Sequence, residues 1–144
     1  MKYFTNLFLL AVILTSATTM AQNIDSFKWK NRILLLKDSH INSMKLQEQL
    51  KALQSNLEKL HERDILIFVL TDAAVFDALK SKTKLQSRLI IEEFGLKDFQ
   101  GLILIGKDGG LKLKESFVVS PSTICNLIDS MPMRRAELKS SEKY

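Results

Sequence analysis

The residues of this chain best suited to chemistry lie in three polar segments and at one cysteine. Asp38 and His40 are separated by one residue and follow the apolar run Ile33–Leu36. A carboxylate beside an imidazole is an arrangement used for general-base chemistry. The alternative is a solvated loop histidine without a catalytic role, and we favour that interpretation.

The second polar segment is Lys107-Asp108, which precedes Gly109-Gly110. A lysine beside glycines suggests phosphate binding, but a phosphate loop is longer and runs from a strand into a helix. Asp-Gly between two apolar runs is instead typical of a β-hairpin, because the pair supplies the positive backbone angles of a primed turn. We therefore expect a hairpin, with Lys107 and Asp108 kept as candidate binding residues.

Two adjacent arginines, Arg134 and Arg135, follow the sequence Met131-Pro132-Met133. Arginine pairs can bind a carboxylate or phosphate through several hydrogen bonds. They can equally stabilise the carboxyl end of a helix or pair with Asp129 or another acidic side chain. We favour the structural interpretation and keep both arginines as candidate binding residues.

Cys125 is the only cysteine, so the chain has no internal disulfide. It lies within a predicted helix beside an apolar stripe, where a free cysteine usually acts as a small buried hydrophobe. A peroxide-responsive thiol is the alternative. The two histidines, His40 and His61, have no ligand spacing typical of a metal site. We predict neither a metal nor a cofactor.

Three apolar runs, 33–36, 65–70 and 102–105, predict strands that are buried on both faces. A helix capped by Asn42 or Ser43 follows the first run. Its leucines recur three and four residues apart, which indicates one core-facing stripe rather than a coiled coil: Leu46, Leu50, Leu53, Leu57 and Leu60.

The remaining elements are placed by local signals. Phe27 and Trp29 alternate within 23–30, as in a short edge strand or an arm packed on the body. Residues 73–79 are predicted to be a short helix. Ser120-Pro121 starts the last helix, and Pro132 ends it. The resulting order predicts an α/β fold with a mixed sheet of about four to five strands and helices on both faces.

Residues 1–21 have the pattern of a secretory signal peptide: Lys2, the apolar run Leu7–Leu14, and small residues up to Ala21. An uncleaved anchor is the alternative. We expect an exported protein, periplasmic or extracellular, without stable membrane insertion. The predicted domain is 22–137, and 138–144 is predicted to be a disordered tail. The formal net charge of +5 is spread along the chain, without the clustered basic surface of a nucleic-acid binder.

The sequence resembles the thioredoxin-like superfamily over roughly 27–137. Phe94-Gly95-Leu96 looks like the step before that fold's third strand, and Leu102–Gly109 looks like its strand and turn. More specifically, the segments IGKDGGLKLK and IDSMPMRR resemble a domain of unknown function in bacterial exported proteins. A related domain in animal extracellular sushi-repeat proteins is grouped as P-DUDES.

The departures from that superfamily concern its redox site. Thioredoxin chemistry requires a reactive thiolate at the start of the first long helix and a second thiol to resolve the mixed disulfide. The corresponding loop, Lys37–Ser43, contains no cysteine, and Gln100-Gly101 stands where the resemblance implies a cis-proline. The resemblance therefore implies the fold without dithiol oxidoreductase activity.

The sequence predicts an exported thioredoxin-like module that works by binding and not by catalysis. Its expected partner is a protein or a cell-envelope component. We do not expect it to bind nucleic acid. Two alternatives remain: an enzyme of unrecognised type that uses the Lys37–Ser43 loop, and a peroxide-responsive protein that uses Cys125. A deep cleft between Lys37–Asn42 and Arg134-Arg135 would favour the enzyme.

Overall fold

The computed structural model describes residues 22–142, in which five strands form one mixed sheet. The strands are β1 (Arg32–Lys37), β2 (Ile65–Leu70), β3 (Val75–Asp77), β4 (Gly101–Ile105) and β5 (Leu111–Glu115). Their spatial order is β3-β2-β1-β4-β5. β1 pairs parallel with β2, and every other pair is antiparallel. The predicted α/β class and mixed sheet are confirmed.

Helices cover both faces of this sheet. Within residues 22–142 the α-helices are α1 (Met44–Gln54), α2 (Leu57–His61), α3 (Ser87–Glu93), α4 (Pro121–Ser130) and α5 (Pro132–Ser141). Helices α1, α2 and α4 pack with Leu34 and Leu36 on one face, and α3 packs with Ile33 and Leu35 on the other. Because successive strand residues face opposite sides, a strand covered twice needs an apolar run, which is the signal that predicted β1.

Four of the five leucines of the predicted stripe face the core, whereas Leu57 is exposed. Ser43 caps α1 by accepting a hydrogen bond from the Leu46 backbone N–H at 3.3 Å. Leu46, Leu50 and Leu53 are buried. The helix is interrupted after Gln54, and α2 continues the stripe with Leu60 buried. A broken helix packed on a sheet excludes the coiled-coil alternative for this segment.

The prediction for one short segment is wrong, and for another only its second alternative, an arm packed on the body, is supported. The segment 23–30 contains a 3-10 helix, Ile24–Phe27, instead of an edge strand, although Phe27 does pack on the body against Phe68. The segment 73–79 contains β3 instead of a helix. Thr71 holds a turn there by exchanging hydrogen bonds with Ala74, which lets Val75 pair with Leu70. Pairing with β2 therefore decides the conformation of a segment too short for a clear periodicity.

The predicted disordered tail is wrong for residues 138–141, which belong to α5. Pro132 does end α4, but it is also the first residue of α5, a position where its missing N–H costs no hydrogen bond. The signal-peptide prediction, 1–21, and residues 143–144 lie outside the described part of the chain. Among residues 22–142, no helix has the length and apolar character needed to cross a membrane.

The predicted hairpin joins β4 to β5, but its turn is longer than a primed turn. Gly109 has a φ of +80°, whereas Asp108 is not in the positive region. The Gly106 N–H donates to the Gly110 carbonyl oxygen, and the Gly109 N–H donates to the Gly106 carbonyl oxygen. The Trp29 N–H donates to the Lys107 carbonyl oxygen at 2.7 Å, which fixes the hairpin beside the start of β1.

Candidate functional site

The Asp38–Ser43 loop occupies the carboxyl end of β1. Asp38 is buried, and its carboxylate accepts hydrogen bonds from the His40 backbone N–H at 3.0 Å and the Ser43 hydroxyl at 2.5 Å. The His40 side chain is exposed. Because the carboxylate binds the backbone of His40 and not its imidazole, Asp38 organises the loop and the general-base pair is not formed.

A shallow cavity of about 360 Å³ borders this loop. It is lined by residues 39–42, Thr71 and Phe76. Lys37 lies beneath the loop with 1% of its side chain exposed, and its Nζ contacts Asp72 at 2.7 Å. This end of the sheet therefore presents hydroxyl, amide and imidazole groups, but no thiol.

A buried guanidinium lies at the opposite end of the sheet, where β1 begins. Only 1% of the Arg32 side chain is exposed. Its Nη1 donates to the Arg63 carbonyl oxygen at 2.9 Å, and its two terminal nitrogens contact Glu137 at 3.3 and 3.1 Å. Lys107 Nζ contacts the same carboxylate at 2.8 Å and Asp64 at 2.7 Å. Glu137 thus joins α5 to both β1 and the hairpin.

The adjacent arginines lie in different surroundings. Arg134 is buried and contacts the Glu62 carboxylate at 3.0 Å and Asp129 at 3.5 Å. Its Nε has no hydrogen-bond partner among the described residues. Arg135 is exposed and forms no ion pair within residues 22–142. Neighbouring helix positions point about 100° apart. The two arginines therefore do not form a clamp, and Arg134 takes the structural role, chiefly through Glu62 and more weakly through Asp129.

Helix α5 is attached to the body mainly through charge. Arg134 is its buried residue, whereas Met133 and Leu138 each remain more than a third exposed. Burial acts to raise the pKa of Glu137, but hydrogen bonds from Lys107 and Arg32 outweigh it and lower the pKa overall. The hydrogen bond from Arg63 is the main cause of a lowered pKa at Asp129, which also neighbours Arg134.

Acidification is expected to weaken this attachment. Because the folded-state pKa values of Asp129 and Glu137 lie below the ordinary 3.8 and 4.5, their ionised forms stabilise the fold above those values. That contribution is lost as the pH falls through the lowered pKa values. We expect the free energy of unfolding in urea to fall from about pH 5 downward. Asp129→Asn should reduce this dependence and exposed Asp98→Asn should not; equal curves for both variants would contradict the account.

A cavity of about 430 Å³ lies between the hairpin and the junction of α4 with α5. Its polar wall carries three cations and one carboxylate: Arg32, Lys107, Lys112 and Asp108. Its opposite wall is apolar: Leu127, Met131, Pro132 and Met133. The volume falls within the range of about 300 to 1,000 Å³ that is common for ligand sites. We call this the hairpin-end cavity.

The sequence-predicted candidates divide between the two ends of the sheet. Lys107 and Asp108 line the hairpin-end cavity, and Arg134 lies in the adjoining ion-pair network. Asp38 and His40 lie at the other end of β1, on the order of 17 Å away along the strand. Neither the cavity beside the Asp38–Ser43 loop nor the hairpin-end cavity is lined by residues from both ends of the sheet.

Cys125 lies on α4, with its side chain buried against the sheet. A small polar cavity of about 280 Å³ borders it, with Arg63 and Asp129 in the lining. The Cys125 thiol therefore lies on α4, far along the chain from the Lys37–Ser43 loop. Within residues 22–142 no group of three or more His, Cys, Asp or Glu side chains is placed to hold a metal ion.

The strand order and helix layers, together with a cysteine-free Lys37–Ser43 loop, define a thioredoxin-like protein without a dithiol site. The reduced 2-Cys peroxiredoxin of Plasmodium vivax is similar in structure, with a TM-score of 0.54 and 18% identity over 84% of this chain and 85% of that chain. Thioredoxin peroxidase I of Plasmodium yoelii gives a TM-score of 0.57 and 17% identity over 84% and 80%. At this identity the likeness shows the fold alone.

The chain belongs to the family described as "Domain of unknown function (DUF4174)", whose model matches residues 23–137. No curated protein was found to match the chain. The family match spans both ends of the sheet and most of α5. It therefore includes the hairpin-end cavity and the ion-pair network behind it.

Several residues of the hairpin-end cavity were missed as candidates from the sequence: Arg32, Lys112, Leu127 and Met133. Arg32 was not a candidate because a charged residue at the start of an apolar run is an ordinary strand boundary. Glu137 was missed as its partner because the helix was expected to end at Pro132. Once α5 is known, the spacing of Arg134 and Glu137 by three residues is the signal for a pair on one helix face.

Proposed function

We propose that this protein is an exported, non-catalytic binding module whose ligand site is the hairpin-end cavity. The observation that carries the proposal is the composition of that cavity, with cations on one wall and an apolar surface opposite. Such a site can orient a ligand through hydrogen bonds to its polar wall while burying the ligand's apolar part. Its lining includes no Cys, Ser, Thr or His side chain.

The alternatives receive less support from the geometry. A peroxidase of this fold would need its thiol at an electropositive helix start. Cys125 lies in the interior of α4 with 7% exposure, and no second cysteine is present in the chain. The names of the peroxiredoxin neighbours therefore do not carry their activity to this chain. Asp38 is occupied by its own loop, so it does not orient the His40 imidazole.

Export and the partner belong to the same proposal. The pattern of residues 1–21 supports export to the periplasm or the extracellular space. A partner that is a protein or a cell-envelope component fits that location. We also propose a relationship to the P-DUDES domains of sushi-repeat proteins, on the basis of the hairpin sequence and the segment that begins α5.

Site-specific photo-crosslinking in producing cells tests the cavity as the ligand site. A photoreactive residue at Met133, on the cavity wall, is expected to give a reproducible adduct. The same residue at exposed Lys97, on the other side of the sheet, serves as the matched control. An adduct at Lys97 as abundant as at Met133, or none at Met133, would refute the hairpin-end cavity as the binding site.

A further inference from the structure

We propose that β2 binds an extended peptide segment, which adds a strand to the sheet beside residues 65–67. The inferred partner is a segment of another protein with uncharged aliphatic side chains at alternate positions. The surface lies on the side of β2 that faces away from β1. It shares no lining residue with the hairpin-end cavity, so the inference goes beyond the proposed function.

The short strand β3 covers only half of β2. Because β3 pairs with residues 68–70, residues 65–67 have β1 as their only strand neighbour within residues 22–142. The chain turns away from β2 after Asp77, whose Oδ1 accepts hydrogen bonds from the Leu79 and Ser81 backbone N–H groups at 2.9 Å each. The first half of β2 therefore has an outer edge that no strand of the described chain covers.

Four backbone groups of β2 point outward from this edge. Successive residues of a strand direct their N–H and C=O groups to opposite sides. The Leu70 carbonyl oxygen accepts from the Asp38 N–H beyond β1, so the even-numbered residues of β2 face β1. Ile65 and Ile67 therefore direct their N–H and C=O groups away from it, and these groups have no hydrogen-bond partner within residues 22–142. An extended peptide backbone supplies the alternating donors and acceptors that match them.

An apolar groove of about 240 Å³ runs along these backbone groups. Its walls come from α2 and from the turn after β3: Leu57, Leu60, Ala78 and Leu79. The ionisable side chains of the lining are His61 and Asp77, and Asp77 already accepts two backbone N–H groups. A charged side chain entering the groove would lose its water without gaining an ion pair there, which is unfavourable. The groove therefore favours uncharged aliphatic side chains.

The edge lies below its walls, which favours a single peptide segment over a second copy of this chain. Ile65 and Ile67 are 2% and 7% exposed, whereas Leu57 and Leu79 are 36% and 86% exposed. Paired strands lie about 4.8 Å apart. The projecting leucines of two copies would meet before their recessed edges reached that distance. An extended segment has no such walls and can enter the groove.

Fluorescence anisotropy with the purified protein and three labelled heptapeptides tests the class of partner. The first peptide alternates valine and threonine between terminal lysines, the second carries N-methyl groups on its valine amides, and the third carries them on its threonine amides. Alternate amides of a strand point to opposite sides, so one methylated peptide should bind at least about tenfold more weakly and the other should bind like the first. Equal affinity of the three peptides, loss in both methylated forms, or no binding of the first would overturn the proposal.

Two exposed leucines provide a matched pair of variants. Leu79→Asp places a charge on the groove wall and should weaken binding of the unmodified peptide about tenfold, whereas the fold tolerates a change at so exposed a position. Leu89→Asp changes an exposed leucine of α3 outside the groove and should leave binding unchanged. Equal effects of the two variants would contradict the proposal. A dimer that forms without peptide and that Leu79→Asp dissociates would make a second copy the occupant and overturn it as well.

Amide hydrogen exchange followed by NMR locates the added strand. Saturation with the unmodified peptide should slow exchange of the Ile65 and Ile67 amides about tenfold, because each gains a hydrogen bond. The Leu66 amide faces β1 and serves as the internal control. Slowing confined to the amides of β5 would place the peptide at the other edge of the sheet and overturn the proposal. The adduct at Met133 tests the hairpin-end cavity separately, so either claim can fail without the other.

Discussion

Glu137→Gln is expected to lower the free energy of unfolding by about 2 to 3 kcal/mol in urea titrations at neutral pH. The substitution keeps the shape of the side chain but removes the charge that Arg32 and Lys107 share. Arg32 is almost fully buried, so its guanidinium would keep the Arg63 carbonyl oxygen and at most one amide oxygen as partners, with no negative charge opposite it. A buried cation left without its carboxylate is costly, although partial exposure of Glu137 reduces the effect.

A surface pair gives the matched control for that prediction. Arg88 and Glu92 form an exposed pair four residues apart on α3, and Glu92→Gln should cost no more than about 0.5 kcal/mol. The double variant Arg32→Met/Glu137→Gln removes the buried cation as well. It should recover part of the loss, because the two sites interact directly. Similar losses in Glu137→Gln and Glu92→Gln would show that the buried network does not hold α5.

Gly101→Ala is expected to lower the free energy of unfolding by about 3 kcal/mol. Gly101 begins β4 with a φ of +155°, a conformation that residues with a Cβ rarely adopt. A Cβ at this position would overlap the Glu115 carbonyl oxygen and approach Phe99 Cζ to 2.7 Å. The obstructing carbonyl belongs to the backbone of β5, so relief would require moving the strand that carries Lys112.

Gly110→Ala is the control for the glycine prediction. A Cβ there would lie 3.4 Å from its nearest neighbours, Asp108 Oδ1 and Lys112 Nζ, which is ordinary contact. Its φ is outside the positive region, so we expect a change within about 0.5 kcal/mol. A Gly101→Ala variant as stable as Gly110→Ala would show that β4 and β5 can separate without loss.

The parts of the fold that were predicted correctly depend on strong local signals. β1, β2 and β4 are continuous apolar runs, and a run of that kind fits a strand covered on both faces. β3 was missed because its three residues carry no periodicity, and pairing with β2 decides their conformation. α5 was missed because a proline both ends a helix and is favoured at the first position of a new one, and Pro132 does both.

The candidate site was predicted only in part, for a different reason. Lys107 and Asp108 were identified from the hairpin signal, and both line the hairpin-end cavity. Arg32 and Glu137 lie 105 positions apart in the chain, and only the folded sheet brings them together. A single sequence carries no signal for such a pair. The same limit applies to the apolar wall, whose leucine and methionines also fit an ordinary helix face.

The central claim is that this thioredoxin-like chain binds a ligand without thiol chemistry, and peroxide consumption tests it most directly. The measurement is the rate of hydrogen peroxide loss with a dithiol reductant, for the unchanged protein and for Cys125→Ser. The account predicts that both rates equal the rate in buffer with reductant alone, since Cys125 is buried on α4 without a second thiol. Consumption above that rate that Cys125→Ser abolishes would contradict the account and establish a single-thiol peroxidase.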